Sequence, residues 1–197
     1  HGVITMSHFL DINVFTTDGL FGIPIRVAAT YAFLFVLFGT FFEKSGGSNF
    51  FFKISKTLTG RTRGAPAKIS VLSSALFGTM SGSPTSDVVA TGAITIPLMK
   101  KFKYSASMAG GIEVAASTGG SLLPPIMGSA AFIMSEFTEI PYLSIVSVAL
   151  FPALVYYMSL LIQVHFRSQV KKIPHLVEAG PPHKVTVHDL LYLLPLF

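Results

Sequence analysis

Residues 69–99 read ISVLSSALFGTMSGSPTSDVVATGAITIPLM, an apolar and small-residue run broken in its middle by Ser81-Gly82-Ser83-Pro84-Thr85-Ser86-Asp87. Lys44, Lys53, Lys56, Arg61, Arg63 and Lys68 precede it, and Lys100, Lys101 and Lys103 follow. Basic residues collect in cytoplasmic loops, so both ends of the run are expected on the same side of a bilayer. Two full spans need about 40 residues, at about 20 each. One continuous helix of this length would reach about 46 Å against a hydrocarbon core of about 30 Å. A hairpin that enters the membrane, turns at its polar tip and leaves on the same side satisfies both limits. Backbone broken at membrane depth is tolerated where it lines an ion or substrate site.

The composition places the whole chain in a membrane. Hydrophobic residues make up 51% and charged residues 12%, and the mean hydropathy is +0.64, far too apolar for an ordinary soluble domain. Cysteine is absent, which removes disulfides, thiol chemistry and thiolate metal sites. The net charge of +5 sits in short loops beside apolar segments. It therefore reads as topology and contact with anionic lipid, not as nucleic-acid binding. No signal peptide is visible, and the chain stops inside an apolar run, as expected of a piece of a longer membrane protein.

Outward from the hairpin (69–99), the segments follow the positive-inside rule. Residues 1–42 hold an N-terminal loop and a first span, Gly22 to Phe42, running from outside to inside. Residues 43–68 form a basic cytoplasmic loop, where Phe50-Phe51-Phe52 points to an interfacial helix with its apolar face in the bilayer. Residues 104–135 form a discontinuous crossing element, interrupted at Ser117-Thr118-Gly119-Gly120-Ser121-Leu122-Leu123-Pro124-Pro125. Glu136 and Glu139 suit an outside loop, 141–165 returns to the inside, 166–189 is a cytoplasmic connector, and 190–197 starts a further apolar segment. The expected fold class is an all-α integral membrane protein with a re-entrant helical hairpin and a discontinuous helix.

A helix that stops inside a membrane exposes carbonyls at its C-terminal end, and its successor exposes N–H groups. Carbonyls near Met80-Ser81 and Ser117-Thr118, with the hydroxyls of Ser81, Ser83, Thr85, Ser86, Ser117 and Thr118, offer hard oxygen ligands that suit sodium. The resuming half-helices favour an anionic substrate such as a carboxylate. Ser83-Pro84 reads as an N-cap followed by proline at the first helical position. Gly82, Gly119 and Gly120 permit turns and close approach, and Pro124-Pro125 enforces the break.

Asp87 has two readings: a charge in the site, or a first-turn carboxylate favoured by the helix dipole. Glu113 is either an intramembrane functional group or a residue near the cytoplasmic end paired with a lysine such as Lys103; the second is preferred. Arg26 either contacts an anionic partner or substrate or snorkels to the interface; the second is preferred. His165, His175, His183 and His188 lack ligand spacing and read as solvated loop residues.

The runs Gly78-Thr79-Met80-Ser81-Gly82-Ser83-Pro84-Thr85-Ser86-Asp87, Thr91-Gly92 and Ile96-Pro97-Leu98-Met99-Lys100 resemble the large permease subunit of TRAP transporters (tripartite ATP-independent periplasmic transporters). So do Glu113-Val114-Ala115-Ala116-Ser117-Thr118-Gly119-Gly120, Pro124-Pro125-Ile126-Met127-Gly128, Ala131-Phe132-Ile133-Met134 and Glu136. The wording is most similar to the fused permeases, in which the small membrane subunit is joined to the large one.

The resemblance implies a sodium-driven secondary transporter of a bacterial or archaeal inner membrane, multi-pass and not an enzyme. A periplasmic substrate-binding protein would deliver the solute, often an organic acid. The fold implied is an elevator with two inverted repeats, of which this chain matches the first. Carried over by motif, Ser81, Gly82, Ser83, Thr118 and Gly119 would bind sodium, with no other cofactor. Thr85, Ser86, Gly120 and Pro124 are the candidate substrate contacts. Asp87 stands where many relatives are expected to carry a neutral Asn, which would alter the charge of the site. The alternatives are a sodium/dicarboxylate symporter that needs no binding protein and a non-transporting membrane scaffold subunit.

Overall fold

Each arm of the hairpin is ended by the residue types that interrupt the apolar run. The computed structural model describes residues 5–16, 19, 21–171 and 173, and α5 (Ala65–Ser81) and α6 (Pro84–Lys101) form its centre. Gly64 enters α5 in the left-handed region, and Pro66 lies in the first turn, where its missing N–H costs nothing. Gly82 closes α5 at φ +59°, and its N–H reaches back to the Gly78 carbonyl at 3.0 Å. Ser83 then caps α6 by accepting the Ser86 N–H at 3.4 Å, as the Ser-Pro pair predicts. Lys100 and Lys101 lie in the last turn of α6, against the negative end of its dipole. The arms hold 17 and 18 residues, about 26 Å each, a little less than a bilayer's hydrocarbon core.

The other elements follow in chain order. α1 (Met6–Leu10) continues as a π-helical turn to Phe15. α2 (Ile23–Val27) passes through a second π turn, Ala28–Ala32, into α3 (Phe33–Lys44). α4 (Gly47–Thr59) follows, and α7 (Ala106–Gly120) and α8 (Ser129–Thr138) are the two halves of the interrupted element. α9 is Tyr142–Val170. Among the described residues, two helical stretches, Ile25–Lys44 and Tyr142–Val170, are long and apolar enough to cross a membrane. Their outer faces expose Phe33, Leu34, Phe41, Leu143, Phe151 and Phe166, which costs little only against lipid. The apolar start at 190–197 lies outside the described residues, as do Asp18, His175, His183, His188 and nearly all of the connector beyond Lys171.

Four expectations change. α4 packs its phenylalanines on protein: Phe50 and Phe51 are buried with Phe42, Phe77 and Met80, while Phe52 packs against Ala65 and Ile69. The helix lies along α5, because a Phe face finds more contact on the hairpin than at an interface. Arg26 does not snorkel alone; its guanidinium meets the Glu136 carboxylate at 2.9 Å. Glu136 itself sits inside α8, not in a loop, and the pair joins two segments expected at the outer side. His165 lies within α9, where Nδ1 is 3.0 Å from Lys68 Nζ, so it is not a solvated loop residue.

α5 and α7 approach closely through a pair of glycines. A Cβ on Gly120 would stand 2.7 Å from the Gly78 Cα and 2.6 Å from Asp87 Oδ2. Only glycine at both positions lets the helices meet. Gly120→Ala is therefore expected to lower the thermal unfolding temperature in detergent by forcing α5 and α7 apart, a loss of about 1–3 kcal/mol. Gly110→Ala, where a Cβ meets nothing within 4 Å, serves as the neutral control.

Candidate functional site

The last turn of α5, the first turns of α6 and the inward face of α7 carry a buried polar layer. Ser81, Asp87, Thr91, Thr95, Glu113 and Ser117 are all buried, together with Ser70, Ser73 and Ser74. At the hairpin tip the Ser81 hydroxyl donates to Asp87 Oδ1 and accepts the Ser83 N–H at 3.1 Å. The second carboxylate oxygen, Asp87 Oδ2, is buried without a hydrogen-bond partner, and the backbones of Gly78 and Gly120 close over it. Ser117 Oγ is likewise buried and unpartnered. Unpaired buried oxygens are costly, which makes this junction of hairpin and break the place where a ligand would be best repaid.

The break is built from its own sequence. α7 ends in a turn, with the Ser121 hydroxyl on the Thr118 carbonyl at 2.9 Å and the Gly128 N–H on the Ser121 carbonyl at 2.8 Å. The segment after it crosses to the tip: the Ile126 N–H donates to the Thr79 carbonyl at 3.1 Å. Gly82 faces Met127 so closely that a Cβ would lie 2.6 Å from its carbonyl oxygen. Tyr142 pins this segment from α9, its hydroxyl donating to the Pro125 carbonyl at 2.9 Å and accepting the Met127 N–H at 3.3 Å.

Of the expected sodium ligands, Ser81, Gly82 and Ser83 are together at the tip. The structure does not bring the side chain of Thr118 to them. Thr118 is exposed on α7, and its hydroxyl donates to its own helix at the Val114 carbonyl, 2.7 Å away. Gly119 faces α9, where a Cβ would meet the Tyr156 ring at 2.5 Å. Helical periodicity gives the reason: Glu113, Ser117 and Gly120 share the face toward the hairpin, and Thr118 and Gly119 do not. The carbonyls of Thr118, Gly119 and Gly120 each already accept a bond within the closing turn. Among the candidate substrate contacts, Thr85 is exposed on the first turn of α6, beside Ser86. Gly120 is buried against Gly78, and Pro124, half-buried in the break, joins Pro125 through a cis peptide.

Glu113 overturns its preferred reading. It is fully buried in the middle of α7, far from Lys103 in the α6–α7 connection, and is surrounded by hydroxyls from both hairpin arms. Ser70 donates to Oε2 at 2.6 Å and Ser74 to Oε1 at 2.9 Å, both from α5. From α6, Thr91 donates to Oε1 and Thr95 to Oε2. Gly92 makes room for its stem, since a Cβ there would come within 3.2 Å of Glu113 Cγ. Sequence reasoning missed these four hydroxyls, although Ser70/Ser74 and Thr91/Thr95 each repeat at a spacing of four on an otherwise apolar helix. No cluster of metal-ligating His, Cys, Asp or Glu side chains occurs among the described residues.

Two helices apolar and long enough to cross a membrane pack here with a helical hairpin and a broken helix, and carboxylates and hydroxyls are buried where these meet, an arrangement consistent with a membrane permease. Over residues 2–196 the chain matches the family described as tripartite ATP-independent periplasmic transporter, DctM component, and it belongs to that family. It is 29% identical over 176 residues to the C4-dicarboxylate TRAP transporter large permease protein DctM of Pseudomonas aeruginosa, covering 86% of this chain and 41% of that protein. It is 34% identical over 91 residues to the sialic acid TRAP transporter large permease protein SiaM of Vibrio cholerae, covering 46% and 21%. A third relative, the 2,3-diketo-L-gulonate TRAP transporter large permease protein YiaN of Escherichia coli, is 29% identical over 100 residues, covering 51% and 23%. The chain thus spans less than half the length of the curated relatives it matches.

The hydroxyl cage makes a quantitative expectation. Ser70→Ala and Thr95→Val each remove one donor to Glu113 Oε2, so each is expected to destabilise the protein by about 1–3 kcal/mol. Because they share an acceptor, the double variant is expected to depart from additivity by about 0.5 kcal/mol or more, read from a double-mutant cycle of thermal unfolding.

Proposed function

We propose that this chain is the first repeat of a TRAP-type large permease, in which the hairpin is re-entrant from the cytoplasmic side and carries the coupling-ion site. The observation that supports the reading is the buried, unpartnered Asp87 Oδ2 where the tip meets the end of α7. A sodium ion there would answer an oxygen that the protein leaves unpaired. Ser81, Gly82, Ser83 and Asp87 supply ligands from the tip. On the α7 side the inward Ser117 hydroxyl takes the part expected of Thr118, whose carbonyl already accepts both the Ser121 N–H and the Ser121 hydroxyl, while the Gly119 carbonyl, with one N–H from Leu122, retains a second lone pair.

The substrate is an anionic solute, an organic acid or a similar compound. The N-terminal ends of α6 and α8 both start beside the tip and break, and helix N-termini favour carboxylates. Thr85, Ser86, Gly120 and Pro124 lie along that junction. Relatives named for C4-dicarboxylates, sialic acid and 2,3-diketo-L-gulonate favour an acid as the cargo of this chain too. Family membership also favours delivery by a periplasmic binding protein over independent symport. It further favours partnership with a small membrane subunit, separate or fused, in a multi-pass inner-membrane complex that moves as an elevator.

The test needs no substrate. The complete permease is expected to unfold at a higher temperature in sodium than in potassium at equal ionic strength. A site filled at about 100 times its dissociation constant contributes about 2.7 kcal/mol. Asp87→Asn and Ser81→Ala are each expected to shrink that sodium-specific increment. Equal melting in the two salts would contradict sodium coupling at this site.

A further inference from the structure

The hydroxyl cage does more than satisfy a buried charge. Its four donors come in two pairs, one from each hairpin arm, and its acceptor comes from the helix that ends at the break. Ser70 and Ser74 lie one turn apart on α5, Thr91 and Thr95 one turn apart on α6, and each arm serves both carboxylate oxygens. Both arms are therefore tied to α7 through one side chain. Glu113 precedes Gly120 by two helical turns, which sets this tie about 10 Å from the break.

Closer to the tip, the links between hairpin and broken helix are slight. They include the glycine contact of Gly78 with Gly120, the approach of Gly82 to the Met127 carbonyl and the single bond from Ile126 to Thr79. None of these resists a relative shift as four charge-assisted bonds can. Among the described residues no Lys, Arg or His forms an ion pair with Glu113. Among the described residues the only other carboxylate beside the layer is Asp87 on α6, one turn before Thr91. On the α9 side, the Tyr156 and Tyr157 hydroxyls are spent on the Ala115 and Ala116 carbonyls at 2.7 and 2.8 Å. Among the described residues the carboxylate has no partner besides these four hydroxyls.

We propose that Glu113 is a positioning residue: as a carboxylate it locks both arms of the hairpin to α7, so that the tip and the break keep a fixed spacing and travel as one body. Ligand geometry must be held within about 0.5 Å to be effective. A tie below the site would supply that precision without occupying the site. Glutamine keeps the shape of the side chain but presents one acceptor oxygen instead of two. It can bind two of the four hydroxyls as glutamate does, and the other two must turn to accept from its amide.

The test measures spacing directly. In the complete permease, nitroxide labels replace Val89 on α6 and Leu122 after α7, exposed by 68% and 45%, and the distance between them is read by pulsed electron resonance. Wild type is expected to give a narrow distribution, Glu113→Ala a broad one, and Glu113→Gln an intermediate one. Should Glu113→Ala fail to fold, Glu113→Gln and the Ser70→Ala/Thr95→Val pair carry the same expectation of broadening. An unchanged width in the variants that fold, whatever their melting temperature, would overturn the proposal and leave Glu113 as packing alone.

The sodium titration of thermal stability is a second arm, and it rests on the sodium reading above. Glu113→Gln is expected to raise the sodium midpoint by about tenfold, as looser ligands bind less well. Broadening in a protein that shows no sodium response would uphold the positioning role and remove the sodium reading. A sodium response with no broadening would do the reverse.

Discussion

A carboxylate taken into a helical bundle without a cation must be surrounded by donors, or the bundle will not close around it. Glu113 meets that condition with four hydroxyls, and the arrangement of the three central helices follows from it. α5 and α6 have to lie side by side on α7 for their Ser and Thr pairs to reach one side chain. Gly92 has to be small for the stem to fit, and Gly78 and Gly120 have to be small for α5 and α7 to approach at the tip. The apolar contacts around this layer, such as Val71, Met99, Ala109 and Ala116 with Tyr157, fill space that the polar register has already defined.

Most of the architecture was legible in the sequence because lengths and charges leave few solutions. A polar interruption with basic residues on both sides predicts the α5–α6 hairpin, and Gly82-Ser83-Pro84 marks its turn to the residue. The Gly-Gly-Ser run and the two prolines likewise mark the gap between α7 and α8. The misses share a physical cause. Deciding whether Ser117 or Thr118 faces the hairpin requires the rotation of α7 about its axis, which neighbours fix and local sequence does not. The position of α4 depends on what its phenylalanines meet, and Phe77 and Met80 are distant in sequence.

Glu113 shows the same limit more sharply. Read alone, an acidic residue ten positions after Lys103 looks like half of an ion pair. Only the fold shows that two hydroxyl pairs from another segment surround it. The motif is nonetheless visible afterwards: two threonines and two serines at a spacing of four are a poor choice for apolar helices unless something on a third helix needs them. Such spacing is a practical sign of a buried charge to be sought elsewhere in the chain.

In the proposed topology α5 and α6 enter and leave the membrane on one side, held there by α7. Its most direct test is a cysteine at Arg61 and, separately, at Lys103, both exposed at the roots of the hairpin. Each would be challenged in the complete permease with a membrane-impermeant maleimide, in right-side-out and inside-out vesicles. Both positions are expected to react from the cytoplasmic face only. Reaction of the two positions from opposite faces would mean that the hairpin crosses the bilayer, and would contradict the account.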